Sequence, residues 1–177
     1  MKTTGYRKIP AKDPKRVYQG TANKAMGNAL EIVIDAALDY YARRGVAVIE
    51  KTPEPMKPVK DLGGGKFVAH YEKKAQPDYK GVLKGGQSVI FEAKHTTADR
   101  IEQSRVTDAQ GAALDQYAAM GAECFIVVGF NMREFYKIPW ELFRDMKSEF
   151  GRKYATAADL EQYRIKLGGY AQLLILG

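Results

Sequence analysis

The chain has 177 residues and a net charge of +7, with 45% hydrophobic and 28% charged residues. This balance is typical of a globular domain that buries its own core without disulfides. No apolar run approaches the ~20 residues of a membrane span, and the N-terminus lacks the apolar segment of a secretory signal. The single cysteine, Cys124, lies in an apolar run and indicates a buried thiol in a reducing compartment. We therefore expect a cytoplasmic protein without a membrane segment.

The N-terminus carries most of the excess positive charge. Residues 1–22 contain six basic side chains and one acidic side chain. Such a segment attracts polyanions, because each neutralised phosphate releases counterions; a merely solubilising arm fits the same composition. We assign residues 1–22 to a basic, flexible arm, with Arg7 and Lys8 as candidate DNA-binding residues, and residues 23–177 to a single domain.

A long insertion follows the first helix and strand, which helical spacing and the run VAVI predict at residues 23–44 and 46–49. Residues 53–75 contain three prolines, which forbid a helix, and three consecutive glycines at 63–65 between short stretches of β character. We predict a projecting β-hairpin that turns at residues 63–65; a disordered insertion is the alternative. Its candidate DNA-binding residues are Lys57, Lys60, Lys66, Lys73 and Lys74.

The remaining pattern alternates strands and helices. It predicts strands at 79–83, 88–94, 123–130, 134–138 and 170–176, helices at 108–120, 139–150 and 156–166, and a polar loop at 95–107. Met120 is expected on the inner face of the second helix. This order predicts an α/β fold with a mixed β-sheet and helices on both faces.

Two carboxylates and a lysine mark the candidate site, in the stretch QPDYKGVLKGGQSVIFEAK at residues 76–94. Glu92 and Lys94 project from the same face of their strand, because side chains alternate along a strand. A three-residue loop centred on Gly85 places Asp78 directly across from Glu92, with Cβ atoms about 5 Å apart. A two-residue turn at Gly85 and Gly86 would instead spoil this alignment.

Paired carboxylates at this distance repel each other unless a cation lies between them. Oxygen ligands of this kind select Mg²⁺, with Mn²⁺ as a substitute, and we expect no small-molecule cofactor. Lys94 would position the attacking water or stabilise the charged transition state. Glu31, on the inner part of the first helix, is an accessory candidate to reach the metal or its waters.

These residues resemble the PD-(D/E)xK nuclease signature, and their surroundings are similar to those of the RecU-type Holliday junction resolvases of Gram-positive bacteria and their phages. The similarity covers residues 22–177 and rests on NKAMGNALE, AVIEKTPEP, PDYKGVLKGG, IFEAKHT, ECFIVV and the terminal DLEQY. The glycine tip at residues 63–65 departs from the family, where bulkier or basic residues are expected.

The resemblance implies a restriction-endonuclease-like fold and a homodimer that cuts four-way DNA junctions by paired symmetric nicks. The products would carry 5′-phosphate and 3′-hydroxyl ends, and residues 53–75 would form the stalk that enters the junction centre. Site roles carried over are metal binding for Asp78, Glu92 and Ala93, and catalysis for Asp78, Glu92, Lys94, Glu31 and Gln110. Gln110 would hold water or phosphate. Another PD-(D/E)xK nuclease, or a non-catalytic junction-binding protein, is the alternative.

Overall fold

The computed structural model describes residues 14–72, 76–168 and 175–176, with the backbone alone for residues 14–20 and Asn23. Helix α1 spans Pro14–Arg43 and begins nine residues before the predicted start. The predicted helix start at residue 23 is therefore wrong, since residues 14–22 belong to the helix. Residues 1–13, with Arg7 and Lys8, lie outside the described part of the chain.

Within the described ranges, nine strands and three further helices follow α1. The strands are β1 (Ala47–Lys51), β2 (Met56–Gly63), β3 (Lys66–Tyr71), β4 (Tyr79–Leu83), β5 (Ser88–Thr96), β6 (Arg100–Glu102), β7 (Glu123–Phe130), β8 (Glu134–Pro139) and β9 (Tyr154–Thr156). The helices are α2 (Asp108–Ala119), α3 (Trp140–Arg144) and α4 (Met146–Phe150). None of the helices in this part of the chain combines the length and apolar character of a bilayer-crossing segment.

The central sheet has the strand order β1-β4-β5-β7-β8. β4 pairs antiparallel with both β1 and β5, β7 pairs parallel with β5, and β8 pairs antiparallel with β7. The connection between the two parallel strands carries α2, as such crossovers commonly do. The expected mixed sheet with helices on both faces is confirmed.

Two hydrophobic clusters cover the two faces of this sheet. On one face, Leu30, Ile34 and Tyr41 of α1 pack against Phe91 and Phe125. Ile90 of β5 points to the other face, into a cluster with Leu114 of α2 and Phe143 of α3. Because β5 alternates between the faces, Glu92 follows Ile90 to the α2 side. The fold therefore builds the candidate site between β5 and α2.

Stacked aromatic rings and one glycine set the spacing of the central strands. The Tyr79, Phe91 and Phe125 rings stack in series, with centroids 4.7 and 4.8 Å apart, and each such pair contributes about 0.5–1.5 kcal/mol beyond burial. A Cβ at Gly81 would lie 2.1 Å from the Val48 carbonyl oxygen. Only glycine therefore fits where β1 approaches β4.

The insertion forms the predicted hairpin. β2 and β3 pair antiparallel around a turn of glycines with positive φ, and every side chain of β2 is exposed. The register places different chemistry on the two faces, because paired residues share a face. One face carries the cationic side chains Lys57, Lys60 and Lys66 with Val68 and His70, and the opposite face carries Met56, Pro58, Asp61, Phe67, Ala69 and Tyr71.

Four predictions about the second half of the chain are wrong, and three of them concern residues 95–150. The loop at 95–107 contains the end of β5, then β6, which pairs with β9. Met120 is 84% exposed, because Gly111 and Leu114 form the inner face of α2. The helix at 139–150 breaks at Asp145 into α3 and α4.

The helix predicted at 156–166 is replaced by β9, a turn and a 3₁₀ turn at Glu161–Tyr163. Asp159 accepts hydrogen bonds from the Thr156 backbone N–H and hydroxyl and pairs with Arg152, which closes the turn. The strand predicted at 170–176 falls almost wholly outside the described residues; of it, Ile175 is buried against the core.

Candidate active site

The β4–β5 hairpin aligns the two predicted carboxylates. Tyr79 pairs with Phe91, and Leu83 N–H donates to the Gln87 carbonyl at 2.8 Å, which leaves a three-residue loop centred on Gly85. This is the register that places Asp78 across from Glu92. The geometric condition for a shared cation is therefore met.

Asp78, Glu92 and Lys94 converge at the end of this hairpin. Lys94 Nζ lies 2.7 Å from Glu92 Oε2 and 3.8 Å from Asp78 Oδ2. Asp78 Oδ2 also accepts the Ala93 backbone N–H at 3.0 Å, which fixes its orientation. Glu92 is 0% exposed, whereas Asp78 is partly exposed. The site thus has a buried carboxylate at its base and a second carboxylate at its opening.

Helix α2 delivers Gln110 to the same carboxylate. Gln110 Nε2 donates to Glu92 Oε2 at 2.6 Å, so this oxygen receives donors from both Gln110 and Lys94. Glu92 Oε1 is buried and has no hydrogen-bond partner among the described residues. The expected role of Gln110 was to hold water or phosphate; in this arrangement its amide group instead donates to the Glu92 carboxylate.

The electrostatics of the pair favour a bound cation. The pKa of Glu92 is raised to about 7, chiefly by burial; Lys94 opposes this rise and the neighbouring Asp78 carboxylate adds to it. A carboxylate forced into this environment gains from any positive charge placed beside it. Oε1 is the Glu92 oxygen that has no hydrogen-bond donor among the described residues and is therefore free to accept such a charge.

The donor set fits a hard divalent ion. In the described ranges, no group of three or more His, Cys, Asp or Glu side chains could hold a metal. The Asp78 and Glu92 carboxylates are the oxygen ligands that the site offers to such an ion. Mg²⁺ sites commonly combine one or two carboxylates with several waters.

Glu31 of α1 pairs with a lysine at the end of β1. Its Oε2 is 2.5 Å from Lys51 Nζ, and Lys51 ends β1 across from Tyr79, the residue after Asp78. Asp35, one turn along α1, accepts the Tyr79 hydroxyl at 2.9 Å. Lys51 was not among the predicted site residues. Its place at the end of β1, next to the strand that follows Asp78, is the sequence feature that could have indicated it.

The base of the hairpin opens onto the site. A hollow of about 580 Å³ is lined by Pro55 and Tyr71 from the hairpin and by Asp78, Thr107 and Gln110 from the candidate site. A ligand held by the hairpin therefore has direct access to Asp78.

The predicted DNA-binding lysines of the insertion divide into two sets. Lys57, Lys60 and Lys66 are exposed and share the cationic face of the hairpin. Lys73 and Lys74 lie outside the described residues.

Comparison with known proteins gives consistent matches over most of the chain. The family model described as recombination protein U (RecU) matches residues 25–175. Holliday junction resolvase RecU of Streptococcus pneumoniae and that of Streptococcus oralis are each 31% identical over 162 residues, covering 86% of this chain and 80% of the relative. The solved structure of the Holliday junction resolvase Hjc of Archaeoglobus fulgidus aligns with a TM-score of 0.41 and 13% identity, over 66% of this chain and 75% of that one.

Proposed function

Because the chain belongs to the recombination protein U family, we propose that it is an endonuclease that resolves four-way DNA junctions during recombination. The observation that carries the proposal is the convergence of Asp78, Glu92 and Lys94, with the buried Glu92 Oε1 left without a partner in the described part of the chain. The curated relatives named as resolvases span nearly the whole described domain, which supports the same activity here.

A divalent cation, which we propose to be Mg²⁺ with Mn²⁺ as a substitute, would lower the pKa of a bound water and offset charge on the phosphate. Asp78 and Glu92 would hold it, with the Ala93 carbonyl as a further ligand. Glu31 would act as an accessory acid through Lys51, its partner beside the site.

Lys94 supplies the positive charge of the reaction. Its side chain is largely buried and lies between the two carboxylates, so it stays close to the phosphate oxygens of a strand bound at Asp78. From there the ammonium stabilises the charge that develops as the phosphodiester bond breaks. The expected products carry 5′-phosphate and 3′-hydroxyl ends that a ligase can join.

The hairpin would provide selectivity for the junction. An eight-residue strand such as β2 projects ~26 Å, which reaches well beyond the catalytic hollow. Its cationic face, with Lys57, Lys60 and Lys66, suits the converging phosphate backbones of a four-way junction. Lys73, Lys74, Arg7 and Lys8 would bind further phosphates.

Paired cutting of a four-way junction requires two copies of the chain. Each described chain contributes one set of Asp78, Glu92 and Lys94, and paired nicks in two strands need two such sets. A homodimer related by a two-fold axis matches the symmetry of the junction.

A comparison of substrates tests the proposal. A mobile four-way junction and a linear duplex of the same sequence are incubated with protein and Mg²⁺, and initial rates of cutting are measured. Faster cutting of the junction, with symmetric nicks, is expected. Equal rates would leave a general nuclease, and junction binding without cutting by the unmutated protein would leave a binding protein.

Matched variants separate the catalytic role from the binding role. Asp78→Asn abolishes cutting and preserves or tightens junction binding, because removing a negative charge reduces repulsion of phosphate. Loss of binding together with cutting would contradict the role assigned to Asp78.

A further inference from the structure

The residue that begins helix α2 is tied to the buried catalytic glutamate through one intermediate. Thr107 is the N-cap of α2, and its hydroxyl oxygen accepts the Gln110 backbone N–H at 3.3 Å. In return, the Gln110 side-chain oxygen accepts the Thr107 backbone N–H at 3.1 Å and the Thr107 hydroxyl at 3.2 Å. These reciprocal bonds form a capping box, a common device for starting a helix.

This capping box fixes which way the Gln110 amide faces. Its oxygen is held by two donors from Thr107, so its NH₂ group must point the other way, toward Glu92 Oε2 at 2.6 Å. The reversed amide would set NH₂ against the Thr107 N–H and an oxygen against the Glu92 carboxylate. Both arrangements are unfavourable, because each leaves like groups facing each other.

The amide orientation decides which oxygen of Glu92 is free. Gln110 and Lys94 both donate to Oε2, at 2.6 and 2.7 Å, and Oε1 is left buried without a donor from the described residues. With Gln110 turned or released, the carboxylate would lose one of the two donors that hold its plane. The cation-binding oxygen is thus selected by a residue that does not touch it.

We propose that Thr107 is a positioning residue for the metal site: through Gln110 it holds Glu92 with Oε1 directed at the cation. This inference deepens the proposed function and rests on it for the identity of the site. Residues that hydrogen-bond directly to a metal ligand, as Gln110 does to Glu92, typically change metal affinity by about 10- to 100-fold when mutated. Thr107 acts one hydrogen bond further away, through Gln110.

The test compares the hydroxyl at this position with its loss. Thr107→Val removes the hydroxyl at nearly constant shape, and Thr107→Ser retains it. Mn²⁺ binding to each protein is measured by titration calorimetry without DNA. Thr107→Val is expected to weaken Mn²⁺ binding about tenfold. This is the lower end of the range of about 10- to 100-fold, because the hydrogen bond from the Thr107 backbone N–H to Gln110 remains. Thr107→Ser is expected to bind Mn²⁺ about as tightly as the unmutated protein.

A control separates positioning from loss of local stability. Thr156 makes the same kind of hydroxyl hydrogen bond with Asp159, away from the site, so Thr156→Val should leave Mn²⁺ binding unchanged. If Thr107→Val does not fold, Thr107→Asn, which caps helices as well as threonine does, keeps the helix and removes the hydroxyl. The same weakened binding is then expected.

Cutting kinetics add a second readout. At limiting Mn²⁺, Thr107→Val should lower kcat and leave the KM for junction DNA unchanged, since no DNA-binding group is removed. Normal Mn²⁺ binding by Thr107→Val, equal losses in Thr107→Val and Thr107→Ser, or an equal loss in Thr156→Val would each overturn the inference. Hydroxyl-dependent Mn²⁺ binding in a protein that cuts no DNA would overturn the proposed nuclease alone.

Discussion

The buried carboxylate of Glu92 should make the metal-free protein less stable as the pH rises. Its folded pKa is about 7 against an ordinary value of 4.5, chiefly because of burial. Between these values the folded protein keeps a proton that the unfolded chain has released. Stability from this group is therefore full below pH 4.5 and is lost as the pH rises through 7.

The magnitude follows from the same pKa. Each tenfold change in the protonation equilibrium is worth about 1.4 kcal/mol, so an ionised Glu92 destabilises the folded protein by about 3 kcal/mol at about pH 8. Glutamine resembles the protonated acid and cannot ionise. The free energy of unfolding of Glu92→Gln, relative to that of the unmutated protein, should therefore rise by about 3 kcal/mol when the pH is raised from about 4.5 to about 8.

Urea unfolding in the presence of a chelator, followed by circular dichroism at both pH values, gives the comparison. Glu149→Gln, at an exposed glutamate of α4, is the matched control and should change stability little and equally at both. Adding Mg²⁺ at the higher pH, at 100 times the Kd for Mg²⁺, should stabilise the unmutated protein by about 2.7 kcal/mol. The same addition should not stabilise Glu92→Gln. A gain for Glu92→Gln that is the same at both pH values would refute the reasoning.

Two further changes test the scaffold and the hairpin. Gly81→Ala should destabilise the protein by about 3 kcal/mol or more, measured by urea unfolding, because the new methyl overlaps the β1 backbone; a loss below about 1 kcal/mol would show that β1 can move aside. Replacing Lys57 and Lys60 by alanine should weaken junction binding and reduce the slope of log K against log salt by about 0.9 for each phosphate that is no longer neutralised. An unchanged slope would show that the cationic face of the hairpin does not meet DNA.

Much of the fold could be predicted because its signals are local. The strands at Tyr79–Leu83 and Glu123–Phe130 have the predicted bounds, and the hairpin turns at the predicted glycines. Alternation along β5 predicts that Glu92 and Lys94 share a face, and the three-residue turn, one of the two turn lengths that the sequence allows, brings Asp78 to them. Periodicity and turn chemistry act over a few residues, so they can be read without knowledge of distant partners.

The wrong predictions involve tertiary interactions that local patterns do not record. The stretch at residues 156–159 predicts the start of a helix, although the Asp159 carboxylate closes a turn with Thr156 and Arg152. β6 forms only by pairing with β9, more than fifty residues later. The role proposed for Thr107 is not predictable from the sequence for a related reason. Its capping pattern is visible in the sequence, but the approach of Gln110 to Glu92 depends on how α2 packs on the sheet.

The position of a bound cation tests the central claim most directly. Crystals soaked in Mn²⁺ and measured at its absorption edge should show one anomalous peak between Asp78 and Glu92, ~2.1 Å from Glu92 Oε1, as hard divalent ions bind oxygen. Lys94 should remain beside the two carboxylates. A saturating soak with no peak at these residues, or with a peak elsewhere, would contradict the account of Asp78 and Glu92 as the metal-binding pair.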